Sequence, residues 1–424
     1  MVKKQKKTEL KRTFTKRQMS KWQRQQRIQH IIIGIGAFFF AFIIGWIGYG
    51  YYNEQVKPLH QTVIRVNDTV FDMDYYIKVL DLISQGQEST AVSFMANTAA
   101  GFIAQGELIR QRAADLGASV STDEINNQLA GLGIPDAKVY RDVVTARLLA
   151  AKLLRDYFDP KVPTACEQAK VQAMFLESKE IAEEARVRLA MSDNFTSLAE
   201  RASREALTKE KKGDLGWLPK GFTGDLLEEL GSSKLEEIAF SLELGMISEP
   251  TYDDSVDKGM GYWILKVTEK DEAKGLHVWG ILLGTWDEAA EIKAKLESGE
   301  DFSTLVSQYS QHLVSKEQGG DLGWTRGGEF RNRILAGFAE QLEPGAISKP
   351  VTDESVQTKG GYWLIKVEER DTDRQLEDEV RQTLVFKLFQ DWVNELEKNS
   401  LMENYLTEEE KAWAVARVLK NRGQ

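Results

Sequence analysis

One cysteine, Cys166, stands in 424 residues. An intramolecular disulfide is therefore excluded. The redox compartment stays open, because an oxidising space permits disulfides without requiring them. Histidine is sparse too, at four. From residue 62 to residue 158 there is no histidine, no cysteine and no glycine-rich phosphate loop, so that stretch holds no catalytic constellation. Charge is absent from Ile31 to Tyr52. Positive charge is short in the body of the chain. Residues 1–30 carry eleven Lys/Arg against one Glu, so the overall −10 conceals −20 on the remainder. An acidic body argues against nucleic acid as a partner. With 42% hydrophobic and 28% charged residues, the composition is that of a globular chain long enough for about three domains.

The uncharged run of 22 residues gives a helix of about 33 Å, one hydrocarbon thickness. Trp46, Tyr49, Tyr51 and Tyr52 crowd its far end as an interfacial belt would. A cleaved signal needs small residues at the cut, and Gly45 to Asn53 is mostly bulky. Residues 31–52 thus predict an uncleaved membrane anchor. The basic segment 1–30 is expected on the cytoplasmic side, facing anionic lipid rather than nucleic acid. Everything after Asn53 is expected outside the cytoplasm.

The body is organised around a repeat. Gly213-Asp214-Leu215-Gly216-Trp217 returns 107 residues later as Gly320-Asp321-Leu322-Gly323-Trp324. Gly245-Met246-Ile247-Ser248-Glu249-Pro250 returns after 100 residues as Gly345-Ala346-Ile347-Ser348-Lys349-Pro350. Gly261-Tyr262-Trp263-Ile264-Leu265-Lys266-Val267 returns at the same spacing as Gly361-Tyr362-Trp363-Leu364-Ile365-Lys366-Val367. Three blocks in one order mean a duplicated domain, over 165–271 and 275–371. The change in spacing places a seven-residue insertion in the first copy, near Glu229 to Glu237. The second copy reads as strand 278–283, helices 287–298 and 302–311, a turn, helix 331–342, and strands near 347–351 and 361–369. That is an α+β domain with a small antiparallel sheet.

Residues 56–164 read as a helical domain opened by two short strands around Asn67-Asp68. Helix 95–116 stops at Gly117, Ser121 and Glu124 form a capping box, and helix 137–158 stops at Asp159-Pro160. An apolar stripe over Leu376, Val380, Leu384, Leu388, Trp392 and Leu396 makes 372–398 an amphipathic helix expected to dock on the domain 56–164. A helical tail, 399–424, is capped by Thr407 and Glu410.

The repeat blocks resemble the parvulin family of peptidyl-prolyl isomerases. The resemblance rests on Gly299-Glu300-Asp301-Phe302 before a helix, the Gly-Gly-Asp-Leu-Gly-Trp turn, the Gly-x-Ile-Ser-x-Pro block and the closing Gly-Tyr-Trp strand. The whole arrangement is similar to SurA- and PrsA-type foldases. The resemblance implies isomerase or chaperone activity on unfolded, proline-containing secreted polypeptides, with no cofactor and no metal. The family keeps two histidines in the cleft floor, and both copies depart from this. Ala173 and Gly280 stand at the first-strand position, Trp263 and Trp363 at the last-strand position. The third family position falls at Glu205 and His312. His312 is either a working polar group or a plain exposed histidine. The proline pocket is implied near Phe222 in the first copy and near Phe330 and Phe338 in the second.

Rotating an X-Pro amide crosses about 18–20 kcal/mol without breaking a bond. The histidines hold site geometry, so their loss implies weakened catalysis, with a non-catalytic holdase as the alternative. His277 sits three residues before Gly280 and is expected on the other strand face. Each tryptophan is expected to cover the small residue of its own copy, Trp263 over Ala173 and Trp363 over Gly280. Trp217, Trp324, Tyr262 and Tyr362 read as core and turn packing. Asp253-Asp254 and Asp353-Glu354 read as solvated loop rather than a cation site.

Overall fold

A computed structural model describes residues 38, 40, 42–326, 330 and 332–423. The basic segment 1–30 and residues 31–37, 39 and 41 of the expected anchor lie outside the described residues. Residues 42–51 are helical, with Phe42, Ile43, Trp46 and Ile47 all exposed. Among the described residues no helix is long and apolar enough to cross a membrane. The chain divides into two compact units, Met1–Leu153 with Asp391–Gln424, and Leu154–Gln390.

The first unit is helical around a small sheet. Strands β1 (Thr62–Val66) and β2 (Thr69–Asp72) form a hairpin. Its turn needs a residue in the left-handed region, and Asn67 supplies it at φ 53°, which asparagine tolerates. The same asparagine bonds the chain's far end. Its N–H donates to the Leu401 carbonyl at 2.8 Å and its side-chain oxygen accepts from the Leu401 N–H at 3.0 Å. Strand Met402–Asn404 then pairs antiparallel with β1. Asp72 caps helix Met73–Ile83 by accepting from the Tyr75 N–H. Helix Ser89–Arg112 supplies Ala99, Ile103 and Leu108 to the core beside Tyr76 and Leu80.

The tail is part of this core. Helix Glu408–Asn421 places Ala414, Val415 and Val418 in the same apolar cluster as Val63, Tyr76 and Leu80. Arg422 clamps it by donating to the Asp81 carboxylate at 2.8 Å, the Asp81 carbonyl at 2.6 Å and the Ser84 carbonyl at 3.1 Å. Glu397, near the end of helix Asp378–Lys398, accepts from the Gln105 side chain at 2.9 Å.

The second unit holds both repeats. Its strands are β3 (Ala165–Leu176), β4 (Asp214–Pro219), β5 (Thr251–Lys258), β6 (Gly261–Asp271), β7 (Gly275–Leu283), β8 (Asp321–Trp324), β9 (Val351–Asp353) and β10 (Thr358–Gln375). They form two antiparallel sheets, ordered β4-β3-β10-β5 and β8-β7-β6-β9. Each repeat thus gives its last strand to the other. β6 of the first repeat pairs with β7, Trp263 opposite Leu282. β10 of the second pairs with β3, Trp363 opposite Phe175.

The linker explains the exchange. Only residues 272–274 separate β6 from β7. A connection this short joins antiparallel neighbours as a hairpin. Asp271 folds it by accepting from the N–H groups of Ala273 at 2.9 Å and Lys274 at 2.8 Å, and Gly275 takes φ 82°. Once β6 stays beside β7, the first sheet lacks a strand, and β10 fills the gap. β10 follows β3 as far as the pair Gln375 and Ala165. The terminal helix therefore starts at Asp378 and not near Thr372, because the long β3 takes those residues as strand. In this unit that helix meets Phe158 through Phe389, ring centroids 5.8 Å apart. Arg381 donates to the Asp159 carbonyl at 2.8 Å.

Alternation then sorts the side chains. In the second sheet Trp263, Leu265, Val278 and Leu282 face Leu335 and Ala339 of helix Arg333–Ala339. Ile264, Ile281 and Leu283 face helices Trp286–Glu297 and Phe302–Tyr309. The first sheet repeats the plan, with Ala173, Trp363 and Ile365 on one face and Met174 and Leu364 on the other.

Candidate functional site

The second sheet carries a cleft of about 1080 Å³ on its tryptophan face. Trp263, Leu322, Phe330, Leu335 and Val356 give it apolar walls, and His312, Ser315 and Asn332 supply polar atoms. Lys274, His277, Asp321, Trp324 and Arg326 also line it.

His312 sits where helix Phe302–Tyr309 ends and the short helix Leu313–Lys316 begins. Its Nδ1 accepts from the Ser315 N–H at 3.3 Å and lies 2.8 Å from the Ser315 hydroxyl. An accepting Nδ1 leaves the proton of the neutral ring on Nε2. Burial depresses its pKa below the ordinary histidine value, so the ring is neutral at pH 7. Its ring packs edge-on to Trp263, centroids 5.2 Å apart. His312 is thus a half-buried wall of the cleft and not a plain exposed histidine.

Trp263 is held at both ends. Its indole N–H donates to Asp353 Oδ2 at 3.1 Å. Asp353 is 1% exposed and also accepts from the Ser355 N–H at 2.9 Å and the Asn332 amide at 2.8 Å. Burial pushes this carboxyl up, but the bonds from Ser355, Trp263 and Asn332 outweigh it and hold the pKa below the usual range. At the other end the indole lies over Gly280. A Cβ there would fall 2.9 Å from Trp263 Cε3 and 2.6 Å from Leu322 Cδ1, so any side chain would force Leu322 or the indole to shift.

The first sheet has the same frame, but among the described residues its tryptophan lines neither this cleft nor the smaller cavity of its own repeat. The Trp363 indole donates to Asp253 Oδ2 at 3.1 Å, and Ser232 donates to the same oxygen at 2.7 Å. Trp363 and Ala173 are both fully buried, in one cluster with Leu227, Leu230 and Leu235. The seven-residue insertion lies here. It forms the turn Glu228–Leu230 and buries Leu230 to 2% exposure. A cavity of about 460 Å³ runs along Lys220, Leu227, Ser233, Glu236 and Phe240, without Ala173, Glu205 or Trp363.

The expected pairs are therefore crossed. Trp263 covers Gly280 and Trp363 shares the cluster of Ala173, because the hairpin linker exchanges the strands. Glu205 is a helix cap. It is 5% exposed and accepts from the N–H groups of Leu207 at 2.8 Å and Thr208 at 2.7 Å. Phe222, half-buried, precedes helix Thr223–Leu226 and lines neither cavity. Phe330 lines the open cleft, whereas Phe338 is 43% exposed and does not. His277 and Trp324 stack at 4.8 Å along the cleft, and His277 bonds Asp321 at 2.9 Å. Trp324 is thus a cleft residue as well as a turn residue.

Asp253 and Asp353 correct the solvated-loop reading, since both are buried under indoles. The signal lay in the sequence. Asp253-Asp254-Ser255-Val256 and Asp353-Glu354-Ser355-Val356 form a fourth matched block at spacing 100. Asn332 and Leu335 carried no comparable signal.

The family described as "Rotamase: PPIC-type PPIASE domain" matches residues 162–269 and 285–369. Both repeats thus match the parvulin-type rotamase domain, and the chain is similar to SurA- and PrsA-type foldases. It is 27% identical over 326 residues to the protein named chaperone SurA of Burkholderia lata, covering 70% of this chain and 64% of that one. It is 42% identical over 108 residues to foldase protein PrsA 2 of Bacillus anthracis, 24% of this chain and 35% of that one. The chain thus spans less than two thirds of these relatives. A crystal structure of the peptidylprolyl isomerase PrsA from Bacillus cereus matches 86% of this chain and 92% of that one, at 12% identity and TM-score 0.29. Each matched rotamase span is continuous in sequence, whereas each sheet of this chain draws strands from both spans.

Proposed function

We propose that this chain is a parvulin-type extracytoplasmic foldase that binds proline-containing stretches of unfolded polypeptides in the cleft of its second repeat. The carrying observation is the pairing of apolar walls, Trp263, Phe330 and Leu335, with the neutral His312. An X-Pro amide loses conjugation as it twists, and a dry pocket with a hydrogen-bond donor favours the twisted state. His312 Nε2–H is the donor this reading uses. Both family-histidine positions of this cleft, Gly280 and Trp263, lack a polar group suited to the amide, so catalysis is weak. Glu205, bound up in its helix cap, takes no part. Neither cofactor nor metal enters the step.

Anchoring by residues 31–52 belongs to this proposal. Its support is the uncharged run and the exposed apolar side chains over 42–51. The relatives' names, chaperone and foldase, fit clients that are unfolded secreted chains and not nucleic acid.

A second reading, a holdase without isomerase activity, is favoured by the replacement of both histidines. One assay separates the two. The full-length chain in detergent is tested for cis–trans exchange of an Ala-Pro peptide by exchange NMR. The foldase reading expects acceleration that His312→Ala abolishes. Peptide binding with no acceleration supports the holdase, and no binding of any unfolded or proline peptide refutes both.

A further inference from the structure

The two repeats share one frame but not one fate. Each has a tryptophan on an exchanged strand and a buried aspartate holding its indole. In the first sheet that indole is sealed beneath Leu227, Leu230 and Leu235. In the second it is part of an open cleft. We propose that the chain has a single peptide site, built from both repeats, in which the first repeat has given up its own cleft and donates Trp263 as the positioning residue for His312.

The geometry runs as a chain of contacts. Asn332 accepts from the N–H groups of Ile334 at 3.1 Å and Leu335 at 3.2 Å, capping helix Arg333–Ala339. Its amide donates to Asp353, Asp353 accepts from the Trp263 indole, and the ring of Trp263 lies against that of His312. Gly280 closes the other side of the indole, leaving no room for it to retreat. Buried polar bonds of this kind are costly to break, so the indole is a fixed stop. It shields the imidazole from water and leaves Nε2 as the ring's free polar atom. The charged and titratable groups lining the same cleft are Lys274, His277, Asp321 and Arg326. Asp321 is engaged by His277 and by the Gly323 N–H at 2.8 Å.

A division of labour follows. The first repeat is not a second, weaker isomerase. It is the donor of a strand without which the second repeat's cleft has no floor.

This inference rests on the peptide-binding reading, and the test keeps the two apart. The full-length chain in detergent is titrated with a fluorescent proline-containing peptide, and the imidazole signals are followed by NMR against pH, with His312→Gln for assignment. Wild type, Trp263→Phe and Trp363→Phe are compared, with thermal melts to verify folding. The expected results are one peptide per chain, a severalfold loss of affinity in Trp263→Phe, and no loss in Trp363→Phe. The His312 titration should move up toward the ordinary histidine value in Trp263→Phe only. Two peptides per chain, or equal effects of the two variants, would overturn the proposal. If no peptide binds to wild type, the functional reading fails. The His312 titration still decides, because it needs no ligand: equal midpoints in wild type and Trp263→Phe would then refute the positioning role.

Discussion

The indole of Trp263 donates to Asp353, 3.1 Å away across the sheet and 90 residues further along the chain. Trp363 donates to Asp253 over the same distance, reaching 110 residues back. Each bond ties one repeat to the other. Together they mark a unit in which neither repeat completes its own sheet.

The first prediction measures those ties. Trp263→Phe and Asp353→Asn remove the two ends of one buried bond, so their effects on stability should be non-additive by roughly 0.5–3 kcal/mol. Trp263→Phe with Asp253→Asn should add, since those residues belong to different sheets. Urea unfolding of the three single variants and the two double variants gives both numbers. Coupling of Trp263 to Asp253 instead would mean that the strands are not exchanged.

Gly280 gives a steric check. A methyl group there meets Leu322 and Trp263 below 3.0 Å, so Gly280→Ala should destabilise by about 1–3 kcal/mol. Trp263→Leu should recover part of the loss, because the indole is one of the two groups the methyl strikes. Trp363→Leu should add its own cost and recover nothing. Melting temperatures of the single and double variants suffice.

Much of this architecture was legible in the chain. Matched blocks gave the duplication, Ser121 and Glu124 gave a helix start, and the insertion was placed within a few residues of the turn that seals the first cleft. Strand partnership was not legible. Trp263 has nearly the same local sequence as Trp363, and each finds the same aspartate chemistry in either arrangement. Only the length of the 272–274 linker distinguishes them, and that is a global constraint rather than a local preference. The site was half legible for a related reason. His312 and Phe330 followed from alignment to the motif. Asn332 and Leu335 enter the cleft because a helix packs on that face, which no periodicity in seven residues reveals.

His312 carries a pH prediction. Burial depresses its folded pKa below the unfolded value of about 6.5. The folded state therefore prefers the neutral ring. That stabilisation is complete above pH 6.5 and is lost as pH falls through the folded pKa. Wild type should lose more stability between pH 7 and pH 5 than His312→Gln does. Urea midpoints at the two pH values test this, and parallel losses would show that the ring is not shielded.

The tail of the chain should be structural. Truncation after Leu401 removes Ala414, Val415 and Val418 from the first unit's core and the Arg422 clamp. Each larger apolar side chain is worth roughly 1.5–3 kcal/mol, so the loss should exceed about 3 kcal/mol. Limited proteolysis should then cut within residues 62–152 and spare the paired sheets. Unchanged resistance of that stretch would refute the assignment.

Strand exchange itself is open to one direct measurement. Lys366 lies opposite Gln172 in the β3–β10 pair, and the corresponding residue of the other repeat, Lys266, lies opposite Trp279. Directly opposed antiparallel residues sit about 4.5–5.5 Å apart between Cα atoms, within reach of a disulfide. In a Cys166→Ser background, Gln172→Cys is paired with Lys366→Cys in one protein and with Lys266→Cys in another. After mild oxidation, mass spectrometry of the digested chain reads the cross-link. Exchange predicts an intramolecular 172–366 disulfide and none between 172 and 266. A 172–266 disulfide with no 172–366 product would mean that each repeat closes on itself, and the shared cleft would fall with the exchange.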